Sequence, residues 1–71
     1  MKLPRDLSGA EVVKSLQRLG FTIARQKGSH VQMVKENKRI TVPMHRFVTV
    51  GTLQNILRQA GVSLEEFLES L

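Results

Sequence analysis

The 71-residue chain has no cysteine, no tryptophan and no tyrosine, and it has only two prolines, two histidines and three phenylalanines. Without cysteine there is neither a disulfide staple nor a thiolate metal site. Two histidines alone fall short of the three protein ligands that a catalytic zinc normally takes, unless carboxylates join them, so neither a metal nor a small-molecule cofactor is expected. The three phenylalanines read as core or loop residues, which excludes the stacked aromatic platform on which many RNA-binding sheets splay their bases. Long apolar runs are missing as well. No stretch approaches the ~18 residues of a membrane span, and the opening MKLPRDLSGAEVV has no apolar export segment. The expectation is a cytoplasmic, soluble protein with no membrane partner.

Acidic side chains are scarce too. Six Asp and Glu stand against eleven Lys and Arg, for a net charge of +5. The imbalance is local. Residues 25–46 contain Arg25, Lys27, Lys35, Lys38, Arg39 and Arg46 against the single acid Glu36, whereas residues 47–71 contain Arg58 against Glu65, Glu66 and Glu69. A concentrated cationic segment without a basic amphipathic helix points to a polyanion, nucleic acid before membrane. A merely solvated basic surface is the plainer alternative. With 41% hydrophobic residues the chain is too apolar for disorder, and its length allows one domain of simple, two-layer architecture across residues 1–71.

Local patterns divide the chain into six elements. Ser8-Gly9-Ala10-Glu11 is a capping box, followed by Val12, Leu16 and Leu19 on one helical stripe and Gly20 as the stop. From Phe21 the period changes to two. Three short strands are expected at about 21–27, 30–35 and 39–43, with Pro43 ending the last. Thr49 caps a helix with Leu53, Ile56, Leu57 and Ala60 on its apolar face and Gly61 at its end. Ser63-Leu64-Glu65-Glu66 is a second capping box, opening a short helix that carries Leu64, Phe67, Leu68 and Leu71. The fold class is α+β, in the order α-β-β-β-α-α, with a three-stranded antiparallel sheet and the helices on one face. Alternation puts Phe21, Ile23, Val31, Met33, Ile40 and Val42 toward the helices and His30, Gln32, Arg39 and Thr41 on the open face, a parity that Val34 fits poorly.

Three segments in this order, KGSH at 27–30, ITVPMH at 40–45 and GTLQNILRQAGVSLEEFLESL from Gly51, resemble the HicA toxins of HicAB toxin–antitoxin systems. The resemblance runs from about Leu7 to the C-terminus. It implies a fold like the double-stranded RNA-binding domain, a metal-independent endoribonuclease activity on mRNA, and a HicB-type antitoxin as partner. It also places the catalytic histidine at His30.

The chemistry of the residues is compatible with that implication. An imidazole near neutral pH can take the 2′-hydroxyl proton of RNA, so that the freed oxygen attacks the adjacent phosphate. Gly28 permits close backbone approach to that phosphate, while Lys27, Ser29, Arg25 and Arg39 offer donors to its oxygens. Lys35, Lys38 and Arg46 complete the expected RNA footprint. His45 is a candidate general acid with Lys27 as its rival, although a histidine leaving a strand more often supports a loop. Two other readings stand beside this one: a non-catalytic RNA-binding module on the same scaffold, and a helix-turn-helix DNA binder. Glu65, Glu66 and Glu69 argue against the second, since a recognition helix bearing them would be repelled by phosphate.

Overall fold

Ser8 opens the first helix as its capping pattern predicts. Its hydroxyl accepts from the Glu11 N–H at 3.2 Å, and the Glu11 carboxylate accepts from the Ser8 N–H at 3.1 Å. Helix α1 then runs Gly9–Arg18, and Gly20 follows at φ 100°, where a side chain would be strained. The chain continues as β1 (Thr22–Lys27), β2 (His30–Lys35), β3 (Lys38–Pro43), α2 (Val50–Ala60) and α3 (Leu64–Ser70). This computed structural model describes residues 6–71. Residues 1–5, with Lys2, Arg5 and the start of the segment inspected for export signals, lie outside the described residues.

The strands form one antiparallel sheet in the order β1-β2-β3, joined by two-residue turns. In the first turn Gly28 takes φ 59°, the left-handed value that a glycine-first hairpin turn requires. Val31, Met33, Ile40 and Val42 point from the sheet into the core, where they meet Val12, Leu16, Leu53, Ile56 and Phe67. Burial of Phe67 alone contributes about 1.5–3 kcal/mol.

Helices α1 and α2 rest on the sheet. Helix α3 lies on the same side of the sheet and packs against α1, adding Phe67 to the shared core. That contact is polar as well as apolar. The buried Ser15 and Ser70 hydroxyls hydrogen-bond each other, and Arg18 donates to the Ser70 carbonyl at 2.7 Å. The reason is capacity: a sheet three strands wide is covered by two helices, so the third must find its cover on one of them.

Helix α3 also holds a carboxylate whose titration is displaced. Glu66 accepts from the Ser63 backbone N–H at 3.2 Å, and this bond, followed by that of the Ser63 hydroxyl, keeps its carboxyl below the usual Glu value. A depressed carboxylate contributes stability that is present above its unfolded pKa and lost as pH falls through the folded one. Glu66→Gln should therefore narrow the wild-type advantage in thermal unfolding as pH drops below about 4, with the two proteins converging in acid. An unchanged gap at low pH would show that the bond carries no such dependence.

Candidate active site

The open face of the sheet is organised in cross-strand rows, because residues opposite one another in antiparallel strands share a face. One row is Lys27–His30–Pro43 and the next is Arg25–Gln32–Thr41. Arg25, Lys27, His30, Gln32 and Thr41 line a depression of about 360 Å³. Arg39, opposite Val34, continues the same face toward the far end of the sheet.

A strict alternation beginning with Phe21 and Ile23 would have turned Arg25 and Lys27 toward the helices. The register explains why they are not there. Ile23 pairs with Met33 and Arg25 with Gln32, so β1 takes two steps where β2 takes one, and Ala24 is the extra residue of a β-bulge. The bulge re-aims the rest of β1 and delivers both cations beside His30. The expectation that Ile23 joins the core is overturned as well. It aligns with Met33 but stays 47% exposed, because the helices pack chiefly over β3 and leave much of β1 uncovered.

Of the six cations in the basic segment, the register puts Arg25, Lys27 and Arg39 on this face. Lys35 turns to the helix side, where its ammonium donates to the Leu19 carbonyl at 2.8 Å and stands 5.8 Å from the Phe21 ring centroid. Lys38 lies against Gly61 at the end of α2, so close that a Cβ there would come within 2.8 Å of its Nζ. Both lysines thus meet helix C-termini, where exposed carbonyls favour positive charge. Arg46 follows β3 and sets its guanidinium 5.6 Å from the centroid of Phe47, which is 57% exposed. Phe21 and Phe67 are buried, so Phe47 is the one phenylalanine that shows an open ring.

The two histidines approach each other. Their ring centroids lie 6.4 Å apart at an interplanar angle of 68°, and both residues are exposed. His30 is the first residue of β2, directly after the Gly28-Ser29 turn. His45 arrives by a different route. Met44 N–H donates to the Ser29 carbonyl, and Gly9 N–H donates to the His45 carbonyl at 2.9 Å. Spacing in the sequence gives no hint of this meeting, which depends on the β3 exit crossing the first turn. Gln32 and Thr41 add neutral hydrogen-bonding groups to the depression; the alternation that assigns them to the open face was the available signal.

Among the described residues no three His, Cys, Asp or Glu side chains gather where they could hold a metal ion. None of the described helices is long and apolar enough to cross a membrane.

Fold and face together define a small α+β protein with one covered sheet face and one bare, cationic face bearing two imidazoles. The family model described as HicA toxin of bacterial toxin–antitoxin matches residues 9–62, from the first residue of α1 to just beyond α2, and the chain belongs to that family. It is the toxin component of a toxin–antitoxin system and has an antitoxin as its partner. No match is found among curated proteins.

Proposed function

We propose that the protein is a metal-independent endoribonuclease that cleaves mRNA, with His30 as the general base, and that a HicB-type antitoxin silences it by covering the open face. The observation that carries this reading is an exposed imidazole set among Arg25, Lys27, Gln32 and Thr41 in one depression. RNA carries its own nucleophile, so the protein needs to supply little beyond proton transfer and charge. His30 accepts the proton of the 2′-hydroxyl. Arg25 and Lys27 hold the phosphate and offset the charge that grows on its oxygens. Arg39 and Arg46 extend the phosphate track along the sheet and past its end. Affinity then rests on phosphates and shape, with weak sequence preference.

The test is to incubate purified protein with end-labelled single-stranded RNA in excess chelator. Cleavage should proceed, leave 2′,3′-cyclic phosphate and 5′-hydroxyl ends, and be absent on DNA of the same sequence. Four engaged phosphates on a single strand give a log K against log salt slope near −3. Binding without cleavage would reduce the protein to an RNA-binding module. Cleavage abolished by the chelator would overturn the metal-free chemistry, and a preference for duplex DNA would favour the helix-turn-helix reading.

A further inference from the structure

We infer that His45 is the general acid that protonates the leaving 5′-oxygen, working opposite His30; this rests on the ribonuclease reading above and deepens it. The first observation is distance. A proton-transferring nitrogen must come within about 2.6–3.2 Å of its target. Rings whose centroids are 6.4 Å apart therefore leave a gap in which one phosphate group stands within reach of both.

The second observation is that, among the described residues, neither imidazole is spent on structure. A histidine at a strand exit usually supports its loop with a ring nitrogen. Here the loop is held by backbone alone: the Met44 N–H on the Ser29 carbonyl, and the Gly9 N–H on the His45 carbonyl at 2.9 Å. Among the described residues no side-chain hydrogen bond uses the ring of His30 or of His45. These clamps lie on either side of the His45 Cα, so they fix where its side chain starts while leaving both ring nitrogens free.

The third observation concerns the rival. Lys27 sits directly across from His30 in the sheet, within the row that borders the depression. An ammonium group stays charged at neutral pH and is suited to holding phosphate oxygens. Imidazole can both give up a proton and regain it there. The chain thus places an ammonium group beside the base and a second imidazole facing it.

The step balances. His30 takes the 2′-hydroxyl proton as the 2′-oxygen forms its bond to phosphorus. The bond from phosphorus to the 5′-oxygen breaks, and that oxygen receives the proton of His45. The products are a 2′,3′-cyclic phosphate and a 5′-hydroxyl, and the two histidines exchange protons with water before the next turnover.

The experiment compares a normal RNA substrate with one whose leaving 5′-oxygen is replaced by sulfur, because a thiolate departs without needing a proton. On the normal substrate His45→Ala should lose roughly 10²–10⁴-fold in cleavage rate. On the sulfur substrate it should recover to nearly the wild-type rate. His30→Ala should lose rate on both, and so should Lys27→Met. His45→Gln, which keeps polarity without a transferable proton, should behave as His45→Ala does. Thermal unfolding and RNA affinity of the His45 variants should match wild type, since the clamps use only the backbone.

An equal loss on both substrates, or no loss on the normal one, would overturn the assignment. Selective rescue of Lys27→Met would move the acid role to that lysine. A wild-type protein inert toward both substrates would instead remove the ribonuclease reading itself, and with it this one.

Discussion

His30→Ala should reduce RNA cleavage by roughly 10²–10⁴-fold, the contribution expected of a single general base. The substitution is a clean one. His30 is exposed at the first position of β2, makes no hydrogen bond through its ring among the described residues, and faces the open side of the sheet. Its removal should therefore change stability by less than about 0.5 kcal/mol. Arg25, Lys27, Arg39 and Arg46 remain, so the variant should still bind RNA with the wild-type salt dependence. Expression of wild type should arrest growth and degrade mRNA, and the variant should do neither while accumulating as folded protein. Normal cleavage by His30→Ala would place the base elsewhere in the depression. Loss of binding along with cleavage would mean that the imidazole is a phosphate ligand rather than a base.

The second large effect is expected at Gly9, and intrinsic helix propensity predicts its sign wrongly. Gly9 is the first residue of α1, and alanine in a helix interior is favoured over glycine by about 1 kcal/mol. Propensity alone would make Gly9→Ala stabilising. A Cβ at this position, however, would lie 2.2 Å from the Pro43 carbonyl oxygen and 2.7 Å from the Met44 Cα. Both atoms are backbone, so neither can turn aside as a flexible side chain would. Over-packing of this kind costs roughly 1–3 kcal/mol, and it exceeds the propensity gain because the helix start and the β3 exit must separate.

Separation has a second effect, since the Gly9 N–H holds the His45 carbonyl. Denaturant unfolding should show a loss of about 1–3 kcal/mol for Gly9→Ala. Gly51→Ala offers the control: it lies in the first turn of α2 with open space around the added carbon, and it should be neutral or mildly stabilising. A Gly9→Ala protein as stable as wild type would show that the close approach relaxes without cost.

Much of the architecture was legible in the chain, because caps and stops are local chemistry. Ser8 with Glu11, Ser63 with Glu66, Thr49 before α2, and the glycines at 20 and 61 each mark a boundary that the structure keeps. The strands were legible for the same reason, apart from the residue parity of β1. Alternation presumes one residue per step, and the bulge at Ala24 breaks that count without a glycine or other marker to announce it.

The candidate site was legible in part. His30, Gln32 and Thr41 could be assigned to one face from the strand period. The division of the cations could not, because charge counts carry no information about direction. Lys35 and Lys38 stand in the same basic segment as Lys27, yet they serve the ends of α1 and α2. The meeting of His30 with His45 was also hidden. It depends on a crossing between segments fifteen positions apart, fixed by backbone bonds from Met44 and Gly9 that any residue but proline could donate.

The bulged outer strand bears on how copies of the protein behave toward one another. Every residue of β1 is exposed, and its free edge offers backbone donors and acceptors to any extended chain that comes alongside. Two copies meeting edge to edge would set Arg25 and Lys27 of one against the same cations of the other. Like charges facing across strands are destabilising. The bulge breaks the straight ladder as well. The distortion that gathers positive charge around His30 thus also discourages one copy of the molecule from pairing along this edge with another.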